Sequence, residues 1–403
     1  MDPRINPYAP GAGTSPPELA GRDDLILRAA IALDRIRAGR AARSFILYGL
    51  RGVGKTVLLN RIRLDAEARG FSAVRLEAPE SRSLPGLLVP GLRAMLLRLD
   101  RGQAAKSAAL RAWRALSGFA RALKVKYDDI EVSIEAEPEP GLADTGDLEL
   151  DLNDLLMAVG RAAKERGGAV VLFIDELQYV EEAQLGALIA ALHAVAQDQL
   201  PVTLMAAGLP QLLGRMGRAK SYAERLFEFA PIDRLPDEAA RDALTLPAER
   251  EHVRFEAGAI EQVLRESRGY PYFLQEWGKH CWDLAEDSVI TAQDARQATI
   301  QALAELDASF FRVRFDRLTP KEKAYMQAMA SLGPGPHRSG DIAEALGRPV
   351  NAVAPLRNSL IEKGMLYSPS HGDTAFTVPL FDAFMRRATG AQLRLDVTDD
   401  DPA

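Results

Sequence analysis

The sequence predicts an α/β fold: a parallel-sheet P-loop core, then a helical lid, then a C-terminal winged helix-turn-helix domain. Three observations carry this. Gly49-Leu50-Arg51-Gly52-Val53-Gly54-Lys55-Thr56 has the spacing of a phosphate-binding loop: Gly, four residues, Gly, Lys, then Ser or Thr. Ala169-Val170-Val171-Leu172-Phe173-Ile174-Asp175-Glu176 is an apolar run closed by two acids, the Walker B pattern. Residues 318–378 read as three helices followed by a hairpin, the winged-helix order.

The core begins with the buried strand 44–48, which feeds the loop, and a helix leaves the loop and runs to about Gly70. Glycines let the backbone turn so that several N–H groups converge on one anion. Gly49, Arg51, Gly52, Val53, Gly54, Lys55, Thr56 and Val57 are therefore the candidate nucleotide-binding residues. The Lys55 ammonium reaches the β- and γ-phosphates, and the Thr56 hydroxyl serves Mg²⁺. Strand 71–77 completes one βαβ unit, and strand 169–175 belongs to another. A buried parallel strand needs continuous hydrophobicity, and its C-terminal end is where ligands bind in open α/β sheets. Asp175 then holds the Mg²⁺ shell and Glu176 orients or deprotonates the attacking water. Helix 181–197 and strand 202–207 continue the alternation.

Composition narrows the class. A chain of 403 residues that is 47% hydrophobic supports two or three packed domains. The net charge of −6 does not advertise nucleic acid, so charge distribution matters more than the total. One cysteine, Cys281, excludes an internal disulfide framework, and the five histidines form no metal-ligand motif. The sequence carries no secretory signal pattern and no membrane-length apolar run, so a cytoplasmic protein without a membrane partner is expected.

The expected domains are a flexible segment 1–18, a nucleotide-binding domain 19–235, a lid 236–308, a winged-helix domain 309–390 and an acidic tail 391–403. Residues 19–38 have helical spacing, ending at Gly39. Residues 93–151 read as a charged insertion. Residues 93–126 hold nine basic residues against Asp100 alone, and 128–151 hold ten acids with no Lys or Arg. In the basic stretch Arg111, Arg114, Arg121 and Lys124 share one helical side, and Trp113, Leu116, Phe119, Ala120 and Leu123 the other. Residues 130–135 alternate as an edge strand does. Two readings stand: a solvated helix neutralised by its acidic neighbour, or a phosphate-binding helix gated by that acidic arm. In the last domain Thr319 caps a helix with Pro320 at its first position. Helices at 339–347 and 350–363 follow, then strands around His371-Gly372.

Taken in order, these motifs resemble AAA+ and STAND-type ATPases, and within them the origin-recognition initiator branch. The likeness runs from about Pro17 to Arg387 and rests chiefly on the two Walker sequences. It implies ATP and Mg²⁺ as cofactors, with the choice of adenine coming from the resemblance. Residues 17–22 are similar to the segment those proteins place beside the base, which nominates Gly21 and Arg22. Residues 221–227 resemble their arginine-finger segment, which nominates Arg225; the plain alternative is a surface arginine pairing Glu224 or Glu228. Arg268-Gly269-Tyr270-Pro271 resembles the G-x-P motif, which nominates Gly269 and Pro271. Strand 202–207 runs out in Ala206-Ala207-Gly208 where the family often has a polar sensor, and that departure implies slow turnover.

The functional expectation is an ATPase switch whose winged helix docks on double-stranded DNA, with a homo-oligomer in the ATP state. Asn351, Arg357, Asn358 and Lys363 are the candidate DNA contacts. The helix is otherwise apolar, which suits backbone contacts more than base reading. One alternative is a STAND-type switch whose winged helix binds a protein partner. Another is a mobile-element ATPase that coats DNA through residues 93–126.

Overall fold

The computed structural model describes residues 1–11, 13–14, 16–78, 83–99, 106–127, 130–131 and 136–388. The expected acidic tail, Arg101 and most of the alternating segment 130–135 lie outside the described residues. Of the described residues, those within 22–49 and 55–232 form one unit, and those within 1–21, 50–54 and 233–388 form the other.

The first unit is α/β. Its elements are α1 (Asp23–Arg37), β1 (Ser44–Tyr48), α2 (Lys55–Ala68), β2 (Ser72–Glu77), α3 (Leu84–Leu99), α4 (Lys106–Ala122), β3 (Lys126–Tyr127) and β4 (Ile130–Glu131). They continue as α5 (Leu148–Glu165), β5 (Val170–Asp175), α6 (Glu182–Gln197), β6 (Val202–Gly208), α7 (Leu212–Ala219), α8 (Ala223–Leu226) and β7 (Phe227–Pro231). Five strands make a parallel sheet in the order β2-β5-β6-β1-β7. Strands β5 and β6 are buried at every position, which is why both read as unbroken apolar runs. Tyr48 lies opposite Gly208, Ile174 opposite Ala206 and Asp175 opposite Glu77. That register brings the C-terminal ends of β1, β5 and β6 to one edge.

The basic stretch 93–126 is not one helix. It is the end of α3, then α4, and their apolar sides join the core of the sheet. Leu92, Leu96, Ala112, Leu116 and Phe119 are fully buried in one cluster with Leu155 and Leu172. The stretch read as a charged insertion is therefore a packed part of the unit, with Arg111, Arg114, Arg121 and Lys124 left at its surface. The acidic arm is also partly structural. Asp147 caps α5 by accepting from the Glu149 and Leu150 N–H groups. Asp151, fully buried, accepts from the Thr145 N–H and hydroxyl and the Gly146 N–H. Acids in a first helical turn suit the dipole, and they hid the start of this helix from a reading by charge alone.

The second unit is mainly helical: α9 (Asp237–Arg250), β8 (Arg254–Phe255), α10 (Ala257–Ser267), α11 (Pro271–Leu284), β9 (Val289–Ile290), α12 (Ala292–Leu306) and α13 (Arg312–Asp316). After these come α14 (Pro320–Ser331), β10 (His337–Arg338), α15 (Ser339–Ala345), α16 (Val350–Glu362), β11 (Leu366–Tyr367) and β12 (Asp373–Phe376). Strands β10, β12 and β11 form a small antiparallel sheet in that order; β10 was not expected, because two residues are too short to leave a pattern. One core crosses the boundary expected at 308–309: Phe311 stacks on Phe384 at 5.3 Å and lies 6.4 Å from Phe273. The N-terminal segment packs rather than trailing free. Tyr8 is buried, sets its ring edge-on to Phe255, and donates its hydroxyl to Leu244 O. No helix among the described residues is long and apolar enough to cross a membrane.

Candidate functional site

The phosphate loop grows from the end of β1. The Gly49 N–H donates to Gly208 O at 3.2 Å, tying the loop to the end of β6. Gly52 and Gly54 take φ of +79° and +90°, conformations that side chains with a Cβ resist. Lys55 opens α2, is only 7% exposed, and donates from Nζ to Gly49 O at 3.0 Å. Its ammonium is thus folded back along the loop. Val53 is buried, and Thr56 and Val57 are half-buried on the first turn of α2.

Asp175 ends β5, 9% exposed. Burial raises its carboxyl above the ordinary range, the Thr56 hydroxyl bonded to it pulls the other way, and Glu176 raises it again. A buried carboxylate beside a hydroxyl is a hard-oxygen pair. Mg²⁺ takes one or two carboxylates plus phosphate oxygens, so Thr56 and Asp175 fit that ion. Glu176 has φ +53°, an uncommon left-handed conformation for a residue with a side chain. Such outliers concentrate where function holds the backbone in place.

A group the sequence reading passed over is Gln178. It sits in the 3₁₀ turn Leu177–Tyr179, 2% exposed. Its amide nitrogen donates to Glu176 Oε2, and its amide oxygen accepts from the Leu209 N–H at 2.9 Å. Arg215 pins the same turn by donating to Gln178 O and, at 2.7 Å, to Val180 O. A polar side chain therefore does connect the end of β6 to Glu176. It comes from the Walker B turn and not from β6, where a Cβ on Gly208 would meet Gln178 Oε1 at 2.9 Å. The only sequence signal was a Gln two residues after the acidic pair.

Arg225 lies exposed on α8. Glu228 pairs with Arg28, and no hydrogen bond or ion pair among the described residues joins Arg225 to Lys55, Asp175 or Glu176. Arg22 precedes α1 as its N-cap residue.

In the helical unit, the loop apex 50–54 meets α11 and the C-terminal sheet region. The Tyr272 N–H donates to Gly52 O at 3.1 Å, and the Arg51 N–H donates to Thr377 O at 2.9 Å. Gly269 has φ +71° and its carbonyl accepts from the Leu235 N–H at 2.9 Å; a Cβ there would come 2.9 Å from Leu235 O. Pro271 is the first residue of α11. Gly21, at φ +68°, leaves no room for a Cβ, which would lie 2.7 Å from Ala239 Cβ. A cavity of about 490 Å³ is lined by Leu50, Arg268, Gly269, Tyr270, Tyr367 and Phe376 among others.

The four residues nominated on α16 and at its C-terminal cap divide. Asn351 and Asn358 are exposed. Arg357 donates to Thr374 Oγ1 at 2.8 Å, Ser368 Oγ at 2.9 Å and Asp373 O at 3.1 Å, binding the helix to the hairpin. Lys363 pairs with Glu322 at 2.8 Å.

Known proteins share parts of this fold. The AAA ATPase domain family matches residues 18–205, and Domain of unknown function (DUF8462) matches residues 308–385. No curated protein matches the sequence. Among solved structures, the Walker-type ATPase paby2304 of Pyrococcus abyssi is similar at 16% identity with a TM-score of 0.57, covering 93% of this chain and 97% of that one. The Aeropyrum pernix ORC1 protein, in complex with DNA, is similar at 16% identity and TM-score 0.48, covering 94% and 95%. The Thermotoga maritima RuvB Holliday junction branch migration motor gives 16% and 0.44, covering 92% and 95%. The first likeness extends the fold over nearly the whole chain. Residues 18–205 match the AAA ATPase domain family, and the chain has the α/β fold of a P-loop ATPase.

Proposed function

We propose that this ATPase is a slow Mg-ATP switch whose nucleotide state is read by its C-terminal module, residues 309–390. The order α14, β10, α15, α16, β11, β12 supports a winged-helix reading of that module. One observation carries the reading. The loop apex, the Gly269-Tyr270 segment and the module line one cavity, and the Arg51 N–H reaches Thr377 O. A phosphate drawing on the loop N–H groups competes for the donor that holds the module.

Lys55 offsets the β- and γ-phosphate charge, and Glu176 accepts a proton from, or orients, the attacking water. Thr56 and Asp175 would hold Mg²⁺, which neutralises phosphate charge when bound. Gly21, Arg22, Gly269 and Pro271 would border the base. Gln178 ties up Glu176 Oε2, so turnover waits on release of that bond. This supports slow turnover. Arg225, exposed, would act on a neighbouring subunit's nucleotide in an ATP-state homo-oligomer. A cytoplasmic setting belongs to the same reading.

The output we infer is docking on double-stranded DNA. Residues 310–390 carry eleven basic residues against seven acids, and Lys321, Arg338 and Arg348 are exposed. With Arg357 and Lys363 held internally, contacts to phosphates outweigh base reading. That internal use of two cations favours a second reading, a module that binds a protein partner. Two measurements test the switch: amide exchange over 49–54 and 365–378, and duplex anisotropy, with ADP and with ATP trapped by Glu176→Gln. ATP should deprotect both segments and raise DNA affinity at low salt. Identical exchange in both states overturns the switch. Altered exchange without DNA binding transfers the output to the protein-partner reading.

A further inference from the structure

Helices α11 and α12 of the helical unit hold a polar cluster that no step of ATP chemistry uses. Glu276 and His280 are four residues apart on α11, which sets both on one face. Glu305, one residue before the end of α12, completes the group. One ligand atom from each lies within 4.8 Å of the others. Glu276 is 4% and His280 7% exposed, whereas Glu305 reaches solvent.

The cluster is not satisfied by itself. Glu276 Oε1 accepts from the Tyr272 hydroxyl at 2.7 Å, but Glu276 Oε2 is buried with no partner. His280 Nε2 is buried too, 3.1 Å from Glu305 Oε2 but not aligned for a hydrogen bond. Leaving a buried acceptor unpaired costs about 1–3 kcal/mol, and native interiors rarely tolerate two side by side. A cation would satisfy both atoms together.

We propose that Glu276, His280 and Glu305 form a site for a divalent transition-metal ion of the Zn²⁺ class, stapling α11 to α12. One imidazole and two carboxylates, with a fourth position open to water, is a common Zn²⁺ donor set, whereas Mg²⁺ and Ca²⁺ prefer oxygens alone. Metal–ligand bonds near 2.1 Å put neighbouring donor atoms of a tetrahedron about 3.4 Å apart. Glu305, on the exposed side, makes the small closing movement and provides the route of entry. An outer partner is in place: the Tyr272 hydroxyl orients Glu276. Tyr272 is itself held by stacking on Phe310 at 4.7 Å. Lys279 is the competitor, with Nζ 3.4 Å from both Glu305 oxygens.

The test uses tag-free, full-length protein stripped with EDTA and kept free of nucleotide, so its outcome is independent of the ATPase reading. CoCl₂ titration should give ligand-field bands at about 500–650 nm saturating at one equivalent, reversed by ZnCl₂. ZnCl₂ at about 100 times its dissociation constant should raise the melting temperature by about 5 °C. Glu276→Gln and Glu305→Gln should each weaken Co²⁺ binding at least tenfold, and Lys279→Gln should strengthen it. Glu305→Gln is at the exposed rim, so it reads the site even if the buried variant folds poorly. Absence of the bands, or bands unchanged in Glu305→Gln, overturns the site and leaves a buried polar cluster.

Discussion

Glu322 provides a prediction whose size follows from the structure. It is the third residue of α14, with a side chain only 3% exposed. Its Oε2 accepts from the Thr319 N–H at 2.8 Å, the Thr319 hydroxyl at 3.0 Å and Lys363 Nζ at 2.8 Å; Oε1 accepts from the Ser359 hydroxyl at 2.8 Å. Burial alone would raise this carboxyl, but Lys363, Thr319 and Ser359 together outweigh it and bring the pKa from 4.5 to about 2. At 1.36 kcal/mol per tenfold, that fall corresponds to about 3 kcal/mol; solvent screening of the partly exposed Lys363 reduces the expectation to about 2 kcal/mol. Because the folded value is depressed, the stabilisation is complete above the unfolded value near 4.5 and is lost as pH falls from there to about 2. Glu322→Gln keeps a side-chain acceptor for the cap but removes the charge. Urea unfolding at pH 7, followed by the fluorescence of the buried Trp277 and Trp282 in the same unit, should show the variant about 2 kcal/mol less stable. The gap should narrow steadily below pH 4.5. Equal stability at pH 7, or a gap undiminished at pH 3, refutes the reasoning. The variant also frees Lys363, so if α16 lies against phosphates, the salt slope of DNA binding should steepen by about one.

Lys55→Ala should abolish ATP binding in calorimetry with Mg²⁺, and unchanged affinity would sink the assignment of the loop lysine. Gln178→Met, of similar volume, should raise turnover severalfold by freeing Glu176; a rate at or below wild type would mean that Gln178 does not restrain it. Glu176→Gln should bind ATP without turnover, and mixing it with Arg225→Ala should restore activity at mixed interfaces, an outcome that a strictly monomeric ATP state by light scattering would contradict. Arg111 pairs with Glu139 at 3.3 Å at the surface, worth about 0–1 kcal/mol, so Glu137→Ser with Glu139→Ser should leave stability unchanged. If that acidic segment masks α4, the double variant should bind duplex DNA more tightly at low salt, and Arg111→Ser with Arg114→Ser should cancel the gain. Equal affinity marks α4 as a solvated face.

What the sequence determined by itself is local. The loop glycines, the apolar run into Asp175, the Thr319-Pro320 start of α14 and the strands flanking His371-Gly372 each depend on neighbours a few residues away. Backbone conformation and strand burial answer to such short spacings, so these elements were legible at nearly their observed bounds. The tertiary structure decided which distant groups share a surface. It alone put Gln178 between Glu176 and Leu209, drew α3 and α4 into the sheet's core, seated Tyr8 against Phe255, and spent Lys363 on Glu322. It alone brought Glu305 to a histidine twenty-five residues earlier in the chain. Charge and periodicity mark a side chain as polar or apolar and assign it a helical face. They do not say which face it meets, because burial and pairing are settled by contacts whose separation along the chain leaves no period to read.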